Sequence, residues 1–520
     1  MITAVRIKNL RSLADTGFIE IKPITLLLGA NSTGKSTFLR SFPLFTQSVN
    51  KTLRGPISWF DDSLVDFGDY YTAKNKYAKE GETIEFEYTI KMPFAAKYWG
   101  PSFRNSDLRL VNEVDEIGIS FTLNNDTKGT YINKVTITIE NLIFKLEIPE
   151  RTGKLQFAVN DLNIETEQAV RWDSRSYNSI LPSFELQAKD PLRGRMPIGN
   201  VVHANIFNFV RQRSDKRLKN LDRVDSYIDG WKYKKSEYLG WLKRKSPITS
   251  FRNYVCDWKV DNAEFLELYY MIALEKLLPL WDLFDSELSV FYSGCSYIAP
   301  TRAEANRYYR TQGLQTSDID PYGKNLPEFI SSLSYAMASS YNQYTNNVLG
   351  VSVKTKAEAG HQSIMVSNDK GEFNITDVGF GYSQILPIIT KLWYAANNSF
   401  RYRRYISFRD EIDSVILMEQ PELHLHPAYQ AKIADAFINA VKEKTESGHQ
   451  LRLIAETHSD TILNRIGRRV REGVISPKDV NIILFEKNIG DNVTRVRQTT
   501  YNAKGQIVEW PYGFFDPYED

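Results

Sequence analysis

The sequence predicts an α/β protein with a mostly parallel core sheet, an antiparallel β region and a helical segment between its two halves. Three observations carry this. An apolar run at 24–28 stops at Gly29 and opens into Gly29-Ala30-Asn31-Ser32-Thr33-Gly34-Lys35-Ser36, ahead of a helical pattern. The last third alternates short apolar runs with helical stretches, the order that a parallel sheet with crossover helices requires. Between these regions, closely spaced runs at 83–92, 117–123, 131–140, 142–148 and 154–159 are broken by turn signals such as Asn124-Asn125-Asp126.

Taken in order, residues 2–8 alternate apolar and polar side chains, as a half-buried strand does. The uninterrupted run at 24–28 reads as a strand buried on both faces, and 35–48 as a helix. From about 204 to 290 the chain is helical, basic and aromatic. A strand at 297–299 leads into a polar loop containing Gly313 and Pro321, then a helix at 327–348. A helix at 383–396, a strand at 415–418, a helix at 427–444 opened by Pro427, a strand at 451–455, a helix at 459–470 and a strand at 482–485 follow. These patterns divide the chain into 1–203, 204–296 and 297–520.

The 520 residues are 42% hydrophobic and 25% charged. At about 150 residues per domain this allows several domains, and it excludes a disordered or fibrous chain. No apolar run reaches the roughly 18 residues of a membrane helix. The start, Met1-Ile2-Thr3-Ala4-Val5-Arg6, lacks the pattern of a secretory leader. Cys256 and Cys295 have no metal-ligand spacing, so a reducing cytoplasm is the expected location. A net charge of +2 excludes a polycation, but residues 211–253 hold 13 Lys/Arg against 5 Asp/Glu. Trp231, Tyr233, Tyr238 and Trp241 lie among these charges, with Lys243-Arg244-Lys245 near the end. Nucleic-acid binding, an acidic protein partner, and a solvated helix face with its aromatics in the core all remain open.

The segment from Gly29 to Ser36 matches G-x-x-x-x-G-K-[ST] between a strand and a helix. Its glycines let the backbone wrap a phosphate, and its N–H groups and the helix N-terminus supply positive potential. Ala30, Asn31, Ser32, Thr33 and Thr37 complete the cradle. Lys35 is expected to reach the β- and γ-phosphates and Ser36 to ligate Mg²⁺. The run at 415–418 ends in Glu419-Gln420-Pro421-Glu422. Glu419 is placed to hold the Mg²⁺. Gln420 cannot take a proton at neutral pH but can orient water, and Glu422 is the base if the loop brings it close. The plain alternative is an exposed acidic turn before a helix.

Three of the six histidines lie nearby. His458, just past the strand at 451–455, is positioned to touch a γ-phosphate. His424 and His426 have no evident third ligand for a metal, and ordinary loop histidines are the alternative. Asp377-Val378-Gly379-Phe380-Gly381-Tyr382-Ser383-Gln384 precedes an apolar helix. Gly381 and Ser383 suit an anion at a helix N-terminus, or Ser383 simply caps the helix.

Together the Ile-Lys-Asn-Leu-Arg-Ser start, the phosphate loop, Gly-Phe-Gly-Tyr-Ser-Gln, Glu-Gln-Pro-Glu-Leu-His-Leu-His-Pro and Glu-Thr-His-Ser resemble the ABC-class AAA-family ATPases of the OLD and RecF/SMC kind. The tail at 505–516 is similar to the ending of a prokaryotic branch found in phage-defence operons beside a nuclease or toxin. The resemblance implies an ABC-type ATPase head with ATP and Mg²⁺ sandwiched at a homodimer or higher homo-oligomer interface. Gly381 and Ser383 would contact ATP in trans, and His458 would be the switch histidine. Residues 423–427 would lie at the seam, and Gln47 would be the Q-loop residue. Glu419 replaces the usual Asp and Gln420 a common catalytic Glu, so slow hydrolysis is expected. No heptad run or second acidic cluster is present, which points to a separate effector protein. The alternative is a RecF-like repair ATPase that binds DNA. No membrane partner is expected.

Overall fold

The computed structural model describes residues 1–91, 114–149, 154–160, 162–173, 179–187, 195–196, 199–215, 224–311, 316, 318–397, 414–442, 451–487 and 493–510. The chain forms two compact units, one of 1–4, 48–57 and 83–290, the other of 5–47, 58–82 and 291–520. Each unit is built from several separate segments of the sequence. The helices between Gly199 and Tyr254 share a unit with the antiparallel strands, because the chain leaves and re-enters each unit.

In the first unit, strands Ile84–Lys91, Glu116–Asp126, Gly129–Ile139, Leu142–Glu147, Lys154–Val159, Leu162–Asp173, Ser183–Gln187 and Arg195–Met196 pair antiparallel, each with the next. Alternation sets their faces: Ile84, Phe86, Tyr88 and Ile90 are fully buried while the residues between them are not. The last three strands were not legible as apolar alternation. Helix Ala263–Leu277 begins at Asn262, whose side chain accepts from Phe265 N, and it buries ten of its fifteen residues.

The second unit is built on a six-stranded sheet. Its strands are β1 (Ile24–Gly29), β2 (Cys295–Ile298), β3 (Ser414–Glu419), β4 (Leu451–Glu456), β5 (Val480–Glu486) and β6 (Arg495–Thr499). Their order is β2-β3-β4-β1-β5-β6, parallel except for the β5–β6 pair. β1 and β4 are buried at every position, as expected of strands covered on both faces. Four helices matter for the site: α1 (Lys35–Val49), α2 (Phe380–Asn397), α3 (Pro427–Lys442) and α4 (Asp460–Arg471). Residues 443–444 of the expected third helix lie outside the described residues. α4 starts where the Ser459 hydroxyl accepts from Ile462 N.

The stretch at 327–348 is two helices, Leu326–Ser331 and Tyr335–Leu349. Ser334 explains the break, since its side chain accepts from Met337 N and restarts the helix. A small antiparallel sheet of Tyr309–Arg310, Ser352–Glu358, His361–Asn368 and Gly371–Asn374 completes this unit. Among the described residues no helix is long and apolar enough to cross a membrane. Cys256 is exposed and Cys295 buried, both as free thiols.

Candidate functional site

Parallel pairing brings the C-terminal ends of β1, β3 and β4 together, although they lie hundreds of residues apart. β4 inserts between β1 and β3, so Glu456 is in register with both Leu27 and Glu419. Ligands collect at such carboxyl ends.

The loop after β1 needs its glycines. Gly29 has φ +153° and Gly34 φ +100°. A Cβ on Gly29 would lie 2.3 Å from the Phe485 carbonyl oxygen, and one on Gly34 2.6 Å from Leu13 Cδ2. Ser32 is also left-handed, at φ +63°. Asn31 and Ser32 are exposed, while Thr33, Lys35 and Thr37 are buried. Thr33 Oγ1 donates to the Ala30 carbonyl at 2.9 Å. Lys35 Nζ donates to the carbonyls of Gly29 at 3.0 Å and Ala30 at 2.7 Å, and lies 3.7 Å from Glu456 Oε1. Burial holds the Lys35 ammonium below its usual range, and Glu456 opposes this.

Glu419 ends β3 with both carboxylate oxygens engaged. Arg40, one turn along α1 from Ser36, grips it by Nε to Oε1 and Nη2 to Oε2, each at 2.7 Å. Tyr297 of β2 donates to Oε1 at 2.7 Å. Arg40 is held firmly protonated by this carboxylate, and burial drives the Tyr297 phenol well up. Glu456 ends β4, 4% exposed. Burial raises its carboxyl pKa, opposed by the Ser36 side chain against it.

The loop after Glu419 is tightly braced. Gln420 and His424 are left-handed, at φ +43° and +62°, a strain that clusters at functional positions. Gln420 N donates to the Glu456 carbonyl at 2.8 Å. Glu422 accepts from His458 N at 2.7 Å through Oε1 and from Thr457 Oγ1 at 2.8 Å through Oε2. It thereby ties the acidic loop to the histidine loop. Arg302, 3% exposed, donates to the carbonyls of Gln420 and Leu423. Its pKa falls to about 10 through burial.

His458 Nε2 is buried without a hydrogen-bond partner. Burial first, and Lys35 second, favour its neutral imidazole. His458 lines an open pocket of about 570 Å³ with Asn31, Gln420, Glu422, His424 and Gln430. His424 itself is exposed, its ring centroid 5.7 Å from that of Phe380. His426 Nδ1 accepts from Ala428 N at 3.2 Å, which caps α3. Among the described residues no group of three His, Cys, Asp or Glu side chains is arranged to hold a metal ion.

The remaining sequence-predicted residues fall elsewhere. α2 begins at Phe380, after Gly379 at φ +101°, so Gly381 and Ser383 lie inside its first turn. The Ser383 hydroxyl donates back to the Phe380 carbonyl at 2.6 Å. Gln47 is 1% exposed, donating to Ser58 O at 2.6 Å and accepting from Val65 N. Both ends of its amide are consumed by the fold. In the basic segment, residues 216–223 lie outside the described residues. Trp231 and Tyr238 are buried, and Trp241 stacks on Tyr238 at 5.8 Å. Trp231 and Tyr238 face the core of their own unit. Lys234, Arg244 and Lys245 are exposed.

Motif reading missed Arg40, Tyr297 and Arg302, and gave Glu456 no role. For Glu456 a signal existed: it closes an apolar strand as Glu419 does. The other three carry no local signature, since their partners are distant in sequence.

The family described as "AAA domain, putative AbiEii toxin, Type IV TA system" matches residues 24–464. A second, "Protein of unknown function (DUF3696)", matches residues 475–520, of which 511–520 lie outside the described residues. No curated protein matches the chain. Two similar solved structures are an SmcHead bound to the C-winged helix domain of ScpA and the SMC head domain from Thermotoga maritima. The first is 12% identical over 96% of this chain and 98% of that one, with a TM-score of 0.32. The second is 7% identical over 95% and 98%, with a TM-score of 0.33. With the phosphate loop, both acidic strand ends and His458 all inside the matched residues, the chain belongs to this AAA domain family.

Proposed function

We propose that this protein is a cytoplasmic, ATP-binding and slowly hydrolysing sensor or scaffold of a prokaryotic antiviral system. It controls a separate effector, such as a nuclease or toxin, through nucleotide-dependent association of its own copies. The observation that carries the ATP part is the convergence of Lys35, Ser36, Glu419 and Glu456 at the ends of three adjacent strands. Lys35 and the loop from Gly29 to Thr37 hold the phosphates in this reading. The oxygen donors of Ser36 and the strand-end carboxylates suit Mg²⁺, and an unpartnered buried oxygen on Glu456 fits a cation there. Mg²⁺ held by these oxygens would neutralise phosphate charge.

Gln420 orients water without accepting its proton, and Glu422 is occupied by Thr457 and His458, which supports slow turnover. Gly381, Ser383 and residues 423–427 contribute to the contact between copies. The matched family's description, which names a toxin and a type IV system, supports the defence setting.

The test is recovery of the protein from its native operon with ATP, beside Lys35→Ala. A stoichiometric companion that depends on Lys35 is the expected result. Protection from phage by this chain alone sinks the effector reading. A second reading, a DNA-repair ATPase, draws on the exposed Lys234, Arg244 and Lys245. It requires ATP-dependent DNA binding that weakens steeply with salt.

A further inference from the structure

Glu456 differs from its neighbour Glu419 in one respect that bears on the cation. Both oxygens of Glu419 are committed, to Arg40 twice and to Tyr297 once. The carboxylate of Glu456 is 4% exposed, and its Oε2 has no hydrogen-bond partner. Its Oε1 lies 3.7 Å from Lys35 Nζ. Lys35 meanwhile spends its own donors on the carbonyls of Gly29 and Ala30. A buried carboxylate oxygen left without a partner is costly, and native structures rarely keep one without a use. The Ser36 side chain lies against the same carboxylate. A hydroxyl and a carboxylate, both hard oxygen donors, therefore face one point beside the phosphate loop.

We infer that Glu456, together with Ser36, holds the divalent cation that accompanies the nucleotide, while Glu419 serves as the anchor of Arg40. This rests on the nucleotide-binding reading above. It has a consequence for Lys35, which is no longer needed as the counter-charge of Glu456 and is left to the phosphates. It also explains why a glutamate is tolerated at position 419. The longer side chain reaches Arg40 on α1 and Tyr297 on β2, which braces the sheet edge beneath the loop.

The test uses the full chain and a fluorescent ATP analogue, titrated with Mg²⁺ and separately in EDTA. Glu456→Gln is expected to raise the Mg²⁺ concentration for half-maximal binding at least about tenfold. Binding in EDTA stays the same or tightens, because a negative charge beside the phosphates is removed. Glu419→Gln shifts the Mg²⁺ requirement less than Glu456→Gln does. In a second readout, the spectrum of Mn²⁺ bound with ADP is present in the wild type and lost in Glu456→Gln. Glu456→Asp, which keeps the charge but shortens the reach, gives an intermediate shift and guards against a folding artefact. A Glu456→Gln protein with the wild-type Mg²⁺ requirement overturns the inference and leaves nucleotide binding standing. A larger shift in Glu419→Gln overturns it in favour of Glu419. A wild type that binds the analogue in neither condition overturns both readings.

Discussion

Arg40 and Glu419 meet through two hydrogen bonds of 2.7 Å although 379 residues separate them. One lies on the helix that leaves the phosphate loop, the other at the end of a strand from the last quarter of the chain. Their fork-to-fork contact joins the two parts of the site. Arg40→Ala leaves a buried carboxylate with Tyr297 as its remaining donor. The expected loss is about 2–4 kcal/mol, tempered because the Arg40 side chain is 35% exposed. Urea denaturation measures it. Replacing both partners, as in Arg40→Met with Glu419→Gln, should recover much of the loss. A single-variant loss below about 0.5 kcal/mol counts against the pair as a brace.

Lys35→Ala is expected to weaken nucleotide binding at least about thirtyfold, about 2 kcal/mol, by removing a charge-assisted contact to phosphate. The fold should survive. Burial already raises the Glu456 carboxyl pKa, so this group can take a proton when its cationic neighbour goes. Calorimetric titration gives the affinity and circular dichroism the fold. Binding at the wild-type affinity would remove the phosphate-loop premise.

Gly29→Ala should cost more than about 2 kcal/mol, since the added Cβ meets the Phe485 backbone oxygen at 2.3 Å and β5 cannot move away. Gly350→Ala provides the control. It has φ +77° but nothing within 4 Å, so only the left-handed backbone cost of about 1 kcal/mol applies. Thermal melts of the two variants separate steric contact from backbone conformation. Equal losses would show that the loop is not pressed against β5.

Gln420→Glu introduces a proton acceptor beside the pocket that His458 lines. Steady-state hydrolysis should rise at least about tenfold, a modest share of what a positioned base contributes. No change would mean that water is handled elsewhere in the site.

Asp285 predicts a pH effect in the other unit. Its Oδ1 accepts from Ile180 N and Leu181 N, each at 2.7 Å, and burial pushes its pKa up to about 6. The folded value lies above the unfolded value of 3.8. Its contribution is therefore fully present below pH 3.8 and is lost as pH rises through 6. Asp285→Asn keeps the acceptor and removes the charge. Relative to wild type it should gain stability between pH 4 and 7.5, by about 2–3 kcal/mol in total. Denaturant midpoints across that range decide it, and a flat difference would refute it.

The parts of the fold that depend on local pattern were legible. The run at 24–28 became β1, the phosphate-loop glycines took the positive φ values their motif requires, and Pro427 and Ser459 stand at helix starts. Legibility failed where the determinant was a tertiary neighbour. The strands at 162–173 and 183–187 are held by their pairing partners more than by alternation. Trp231 and Tyr238 look like stacking platforms in the sequence but pack internally, because apolar rings among charged residues fit either a ligand or a core.

By itself, the sequence determined that a phosphate loop lies between a strand and a helix, that an acidic strand end and a histidine belong near it, and that the core sheet is parallel. Local sterics and periodicity act within a few residues, so they can be read there. Only the tertiary structure decided that β4 lies between β1 and β3. That placement sets Glu456 against Ser36 and Lys35, hands Glu419 to Arg40 and Tyr297, and ties Glu422 to the His458 loop. Which of several carboxylates faces a cation depends on strand order and register, and these are fixed by burial over the whole sheet.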